Sequence, residues 1–115
     1  SHEAARAVHD ALPIMQRAKH IQIISVSKND KIEKENMIKC EQLQRHLNHH
    51  QIHAEVFAPD KSPKGVGYTI FESALEYSAE LIVMGAYGHS RFKEIVLNIV
   101  VFIAKKSPLI FSKQL

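Results

Sequence analysis

The chain of 115 residues has no tryptophan and a single cysteine. Its purely apolar runs are short. Cys40, as the only thiol, cannot close an intrachain disulfide, which fits a reducing compartment. The longest apolar stretches, Leu81 to Met84 and Ile99 to Ala104, fall far below the roughly 20 residues that span a bilayer, so no membrane partner is expected. The opening residues, Ser1-His2-Glu3-Ala4-Ala5-Arg6, carry no charged-then-apolar leader, and a cytoplasmic location is the expectation. Charge of one sign is also scarce as a cluster. The 15 basic and 12 acidic residues leave +3, and Lys105-Lys106 and the Lys61/Lys64 pair are the nearest approach to a basic patch. Without a stripe of cations, and with three tyrosines that do not interleave with basic residues, nucleic acid is not an expected partner.

What is present is ordinary globular material. With 45% apolar and 23% charged residues, the chain has the composition of one folded domain, 1–115. Ala4, Val8, Ala11, Leu12 and Met15 share one face of a helix predicted from Glu3 to Ala18, with Ser1 as its N-cap and Pro13 as a local irregularity. His20 to Ser27 is short and β-branched, hence a strand. Asn29-Asp30 turns into a helix over about Ile32 to Asn48, with Ile32, Met37, Cys40, Leu43 and Leu47 on its apolar side. A second strand is expected at Ile52 to Ala58, a loop at Lys61 to Gly67, and a helix at Tyr68 to Ser78 bearing Ile70, Phe71, Ala74, Leu75 and Tyr77. Leu81 to Met84 reads as a compact strand. Phe92 to Lys105 reads as a helix that is apolar almost all round, broken by Ser107-Pro108, and Leu109 to Ser112 as a last strand.

Helices and strands in that alternation predict an α/β domain with an open parallel sheet and helices on both faces. One feature is unusual for such a domain. The chain opens on a helix, whereas the carboxyl end of an opening strand normally helps to build the ligand crevice.

The chemistry concentrates in Leu81-Ile82-Val83-Met84-Gly85-Ala86-Tyr87-Gly88-His89-Ser90-Arg91. A strand running through glycines into a helix is a natural anion cradle, because backbone N–H groups can approach a phosphate there. Gly85 and Gly88 would give close approach, Ser90 a hydroxyl, and His89 or Arg91 a polar or cationic flank.

The run ELIVMGAYGHSRFKEIVL, preceded by Ala74-Leu75-Glu76-Tyr77-Ser78-Ala79, resembles the universal stress protein family, and most of all the second domain of its tandem members. The likeness extends over the whole chain, specific in the second half and architectural in the first. It implies a five-stranded parallel sheet of order 3-2-1-4-5, of which the opening, central strand is absent here. ATP-binding members carry Gly, two residues, Gly, nine residues, then Gly with Ser or Thr. Gly85 and Gly88 match the first half, whereas Asn98 and Ile99 occupy the second, and Val101 replaces a frequent hydroxyl residue. Asn98 would put a side chain where bare backbone meets phosphate, and Ile99 removes a hydroxyl and adds bulk. Val26 and Met84 match positions that line the adenine. The resemblance thus implies a non-catalytic stress-response module, regulatory or dimerising, with a degenerate nucleotide cleft at Val26, Met84, Gly85, Gly88, His89, Ser90, Asn98 and Ile99. The alternative is an ATP-binding stress sensor, with ATP as the one cofactor in view. An enzyme of the same fold has no support, since no lysine stands in the loop and no acidic pair follows a strand. Association with a second copy or a sister domain through Leu109 to Ser112 is the implied partnership.

Other groups carry less. His46 and His50 share a helical face at a spacing that zinc sites use, but no Glu lies between them as in HExxH, so His46, His49, His50 and His53 read as a solvated helix terminus. No metal site is assigned. Cys40 reads as a small buried hydrophobe, and Glu72, Glu76 and Glu80 as a solvated helix face and its exit turn.

Overall fold

A computed structural model of the chain describes residues 2–27, 30–84 and 100–104, with side chains from residue 6 onward except those of 30 and 32. Three helices and four strands follow in the order α1 (His2–Arg17), β1 (His20–Ile24), α2 (Asp30–His49), β2 (Glu55–Phe57), α3 (Val66–Tyr77), β3 (Leu81–Met84) and β4 (Val100–Ala104). α1 runs without a break across Pro13, which lies on its exposed side. Val8, Ala11, Leu12 and Met15 are buried along the opposite face, as their spacing predicts.

The strands form one sheet of order β2-β1-β4-β3. β1 and β2 are parallel, with Gln22 opposite Glu55 and Ile24 opposite Phe57. β4 is antiparallel to both of its neighbours, β1 and β3. β1, β2 and β3 therefore all run one way and β4 alone runs the other. The sheet is mixed, which corrects the wholly parallel sheet predicted above.

β4 also corrects the helix predicted over Phe92 to Lys105, at least for residues 100–104. Its pattern is apolar on every side, and periodicity alone cannot separate such a run from a strand buried on both faces. Its content favours the strand, because Val100, Val101 and Ile103 are β-branched. The deciding term is tertiary. Between β1 and β3 lies a single strand's width of backbone N–H and C=O groups that need partners, and buried groups left unpaired cost about 1–3 kcal/mol each. Val100–Ala104 fills that slot, pairing along its whole length with His20–Ile24 and along Val100–Ile103 with Leu81–Met84. All five of its residues are buried. Val100–Ala104 thus occupies the position between β1 and β3, running opposite to both. Leu109 to Ser112, expected as a further strand, lies outside the described residues.

Alternation along the strands divides the core in two. Ile21, Ile23, Val101 and Ile103 face α1 and α2, where they pack with Met15, Cys40, Leu47 and Ile52. Ile24, Val100, Phe102 and Ala104 face α3, where they meet Ile70, Ala74 and Tyr77. Helices cover both faces, as expected. On α3 the buried side is Thr69, Ile70, Ser73, Ala74 and Tyr77. Phe71 and Leu75, expected on that apolar side, are 58% and 59% exposed.

Candidate functional site

The direction of the chain across the sheet decides where a ligand crevice can form. From β1 the chain passes through α2 to β2 on one side; from β2 it crosses through α3 to β3, beyond β4 on the other side. The helices before this reversal, α1 and α2, lie on one face and α3 on the opposite face. Such a reversal opens a crevice at the carboxyl ends of the parallel strands, which here are the ends of β1 and β3.

Two predicted site residues are brought to that rim. Met84 ends β3, and Val26 follows the end of β1 by two residues. Both belong to the alternation that faces α3: Val26 is buried there with Ile24, and Met84 is 45% exposed. Val100, the first residue of β4, sits between them, paired with Ile24 on one side and Met84 on the other. Two strand spacings put Ile24 and Met84 about 10 Å apart. The remaining predicted residues, Gly85, Gly88, His89, Ser90, Asn98 and Ile99, lie outside the described residues.

Behind the same rim is a polar strip that sequence reasoning missed. Ser25 N–H extends the ladder by donating to the Phe57 carbonyl at 3.1 Å. Its hydroxyl is buried without a hydrogen-bond partner, although the Cys40 thiol lies beside it. Asn36, also buried, donates from Nδ2 to Ser27 Oγ at 3.3 Å. The signal was the alternation Ser25-Val26-Ser27, which places two hydroxyls on the face toward α2 and one apolar side chain toward α3. Burial pushes the Cys40 thiol up to about 11, against a smaller lowering by Ser25 and a small raising by the Glu41 charge. A thiol held neutral is no nucleophile, which agrees with its reading as a core residue.

The Lys61 to Gly67 segment, at the carboxyl end of β2, is a built turn. Gly65 N–H donates to the Ser62 carbonyl at 2.9 Å, and Ser62 N–H donates to Thr69 Oγ1 at 2.8 Å. Thr69 Oγ1 in turn donates to the Gly65 carbonyl at 2.8 Å. Gly65 takes φ 107°, a conformation that side chains resist. The Lys64 ammonium sits 4.6 Å above the Tyr68 ring.

At the opposite, amino rim of the sheet, a surface cavity of about 270 Å³ is lined by Gln44, Arg45, Asn48, Ile52, His53 and Ala54. Two of these residues are joined, Gln44 Nε2 donating to the Ala54 carbonyl at 2.8 Å. Among the described residues no three His, Cys, Asp or Glu side chains converge as a metal cage, and no helix is long and apolar enough to cross a membrane.

Comparison with protein-family models, with curated proteins and with solved structures finds no match for this chain.

Proposed function

We infer that the chain is a universal-stress-type domain that acts in the cytoplasm as a non-catalytic regulatory or dimerisation module, with a degenerate nucleotide cleft at the carboxyl rim of β1 and β3. The observation that carries this reading is that Val26 and Met84 lie at one rim and on one face of the sheet, either side of β4, at the point where the chain reverses. These are the two residues the resemblance assigns to the adenine side. The phosphate side is the weak half. Asn98 and Ile99 stand where ATP-binding members of the family carry Gly and a hydroxyl residue, so a bound triphosphate would lose a close backbone approach and a donor.

The second reading, an ATP-binding stress sensor, draws on the exposure of Met84, which leaves an apolar contact uncovered at the rim. Calorimetry separates the two. The module reading predicts no saturable heat with ATP at millimolar concentration. Micromolar affinity that disappears in Gly88→Ala would replace it with the sensor reading. Partnership is part of the proposal: the chain is a homodimer, or docks on a sister domain, through Leu109–Ser112. Sedimentation equilibrium should give twice the 13.1 kDa chain mass, falling to one copy in Ile110→Lys; a monomer at all concentrations removes the homodimer.

A further inference from the structure

The strongest feature outside the proposed cleft is the end of α2. Its last turn is closed by three backbone bonds: His50 N–H and Ile52 N–H donate to the Leu47 carbonyl at 2.9 and 3.0 Å, and Gln51 N–H donates to the Asn48 carbonyl at 3.0 Å. Gln51 takes φ 61°, the left-handed conformation that completes this cap. Ile52 and Leu47 are both buried in the core between the sheet and α2, so the turn is anchored from inside. Gln16 of α1 adds a long contact, Nε2 to the His50 carbonyl at 3.5 Å. The backbone that carries His46 and His50 is therefore held in place on both sides of the helix terminus.

On that fixed backbone the two imidazoles meet edge to face, with ring centroids 5.0 Å apart and planes at 67°. We propose that His46 and His50 form a two-imidazole site that takes a divalent transition-metal ion reversibly, with water completing the coordination. The spacing suits the ion once the rings turn out of this edge-to-face contact. Rotation about χ2 leaves each centroid nearly in place while it aims one nitrogen of each ring at a common point. A metal about 2.1 Å from one nitrogen of each ring lies about 3.2 Å from each centroid. Two centroids 5.0 Å apart then subtend roughly 100° at the metal, between the octahedral and tetrahedral angles. The electrostatics suit it too, because the C-terminus of the 20-residue helix α2 presents the negative end of its dipole at this turn. Nitrogen ligands select borderline ions such as Zn²⁺, Ni²⁺ and Cu²⁺ over Mg²⁺ and Ca²⁺. With only two protein ligands the site stays open, so bound metal exchanges and can accept a third ligand from outside. His49 and His53 are exposed nearby but do not pair with these rings. The site lies at the amino rim, away from the proposed cleft, and stands independently of it.

Zinc titration followed by calorimetry and by histidine side-chain NMR tests this. Wild type should bind about one Zn²⁺, with imidazole signals of His46 and His50 moving and those of His9, His20 and His53 fixed; Mg²⁺ should move nothing. His46→Ala and His50→Asn should each weaken binding by at least about tenfold, while His49→Ala and His53→Ala stay within about twofold. His46 is exposed, so its replacement leaves the core intact. Absence of saturable Zn²⁺ binding at millimolar concentration overturns the site. So does unchanged affinity in His46→Ala, or an equal loss in His53→Ala.

Discussion

The Tyr77 ring packs against Phe102 with centroids 6.2 Å apart and planes tilted by 36°. That contact fastens the last turn of α3 to the middle of β4, the strand that holds β1 and β3 together. Phe102 is fully buried. Phe102→Ala should cost about 3–5 kcal/mol in chemical denaturation, from lost transfer energy and the cavity left behind. Tyr77→Phe has the opposite character. The Tyr77 hydroxyl is buried without a partner, so its removal should be neutral or stabilising, by up to about 1 kcal/mol. A loss of stability in Tyr77→Phe would mean that the hydroxyl does find a partner in solution.

Two helices end on residues in the left-handed conformation that are not glycine. Gln51 closes α2 at φ 61°, and Ser78 closes α3 at φ 57°, where Ala79 N–H donates to the Ala74 carbonyl at 3.0 Å. Gln51→Gly and Ser78→Gly should each raise stability by about 0.5–1 kcal/mol, because glycine carries no steric penalty there. Gly65 is the converse case at φ 107°, and Gly65→Ala should lower stability by about 1 kcal/mol although open space surrounds the added methyl. Thermal melts of the three variants check all three signs.

How much of this was legible beforehand varied with burial. α1 was clear because Val8, Ala11, Leu12 and Met15 mark one stripe against charged neighbours, and the edge strand β3 emerged with the predicted bounds. β4 was not legible as a strand, since a segment buried on both faces has no polar residues to show a period of two. The enrichment in Val and Ile was the only local hint, and a long helix-like run around it outweighed that hint. Phe71 and Leu75 misled in another way: apolar residues at helical spacing mark a face only when the alternatives are polar, and α3 instead buries Thr69 and Ser73. Val26 and Met84 were named as adenine-side residues only through the resemblance to the universal stress protein family; the chain's own pattern showed no more than that they stand near strand ends. The buried partnerless hydroxyl of Ser25 was not legible, because only the packed helix α2 deprives it of water.

Alkaline pH should weaken the fold over a defined window. Burial raises Cys40 from 9.0 to about 11, and burial with a smaller Glu55 contribution raises Tyr77 from 10.0 to about 12. In both cases the folded state favours the protonated form. Their contribution is therefore complete below pH 9, starts to fall as the unfolded thiol ionises, and is lost once the pH passes the folded values. Stability measured between pH 8 and 12 should decline, and Cys40→Ala should flatten the early part of that decline. A Cys40 thiol that reacts with a disulfide reagent at pH 8 as fast as a free thiol would contradict its burial.

The antiparallel placement of β4 has a direct signature. Close Hα–Hα contacts are expected across β1 and β4 in the register that sets Ile21 against Ile103 and Ile23 against Val101. Amides of Val100–Ala104 should exchange slowly with solvent, in the slowest class of the molecule, because they lie in the centre of the sheet. Fast exchange there, or helical sequential contacts, would return the segment to the helix predicted from its pattern.

The cleft assignment is tested most directly by restoring what it lacks. In Asn98→Gly/Ile99→Ser, followed by amide NMR during an ATP titration, the account predicts saturable shifts that include Val26 and Met84, at a concentration where wild type shows none. A double variant that stays folded and shows no shift at either residue, or shifts centred elsewhere, would contradict it.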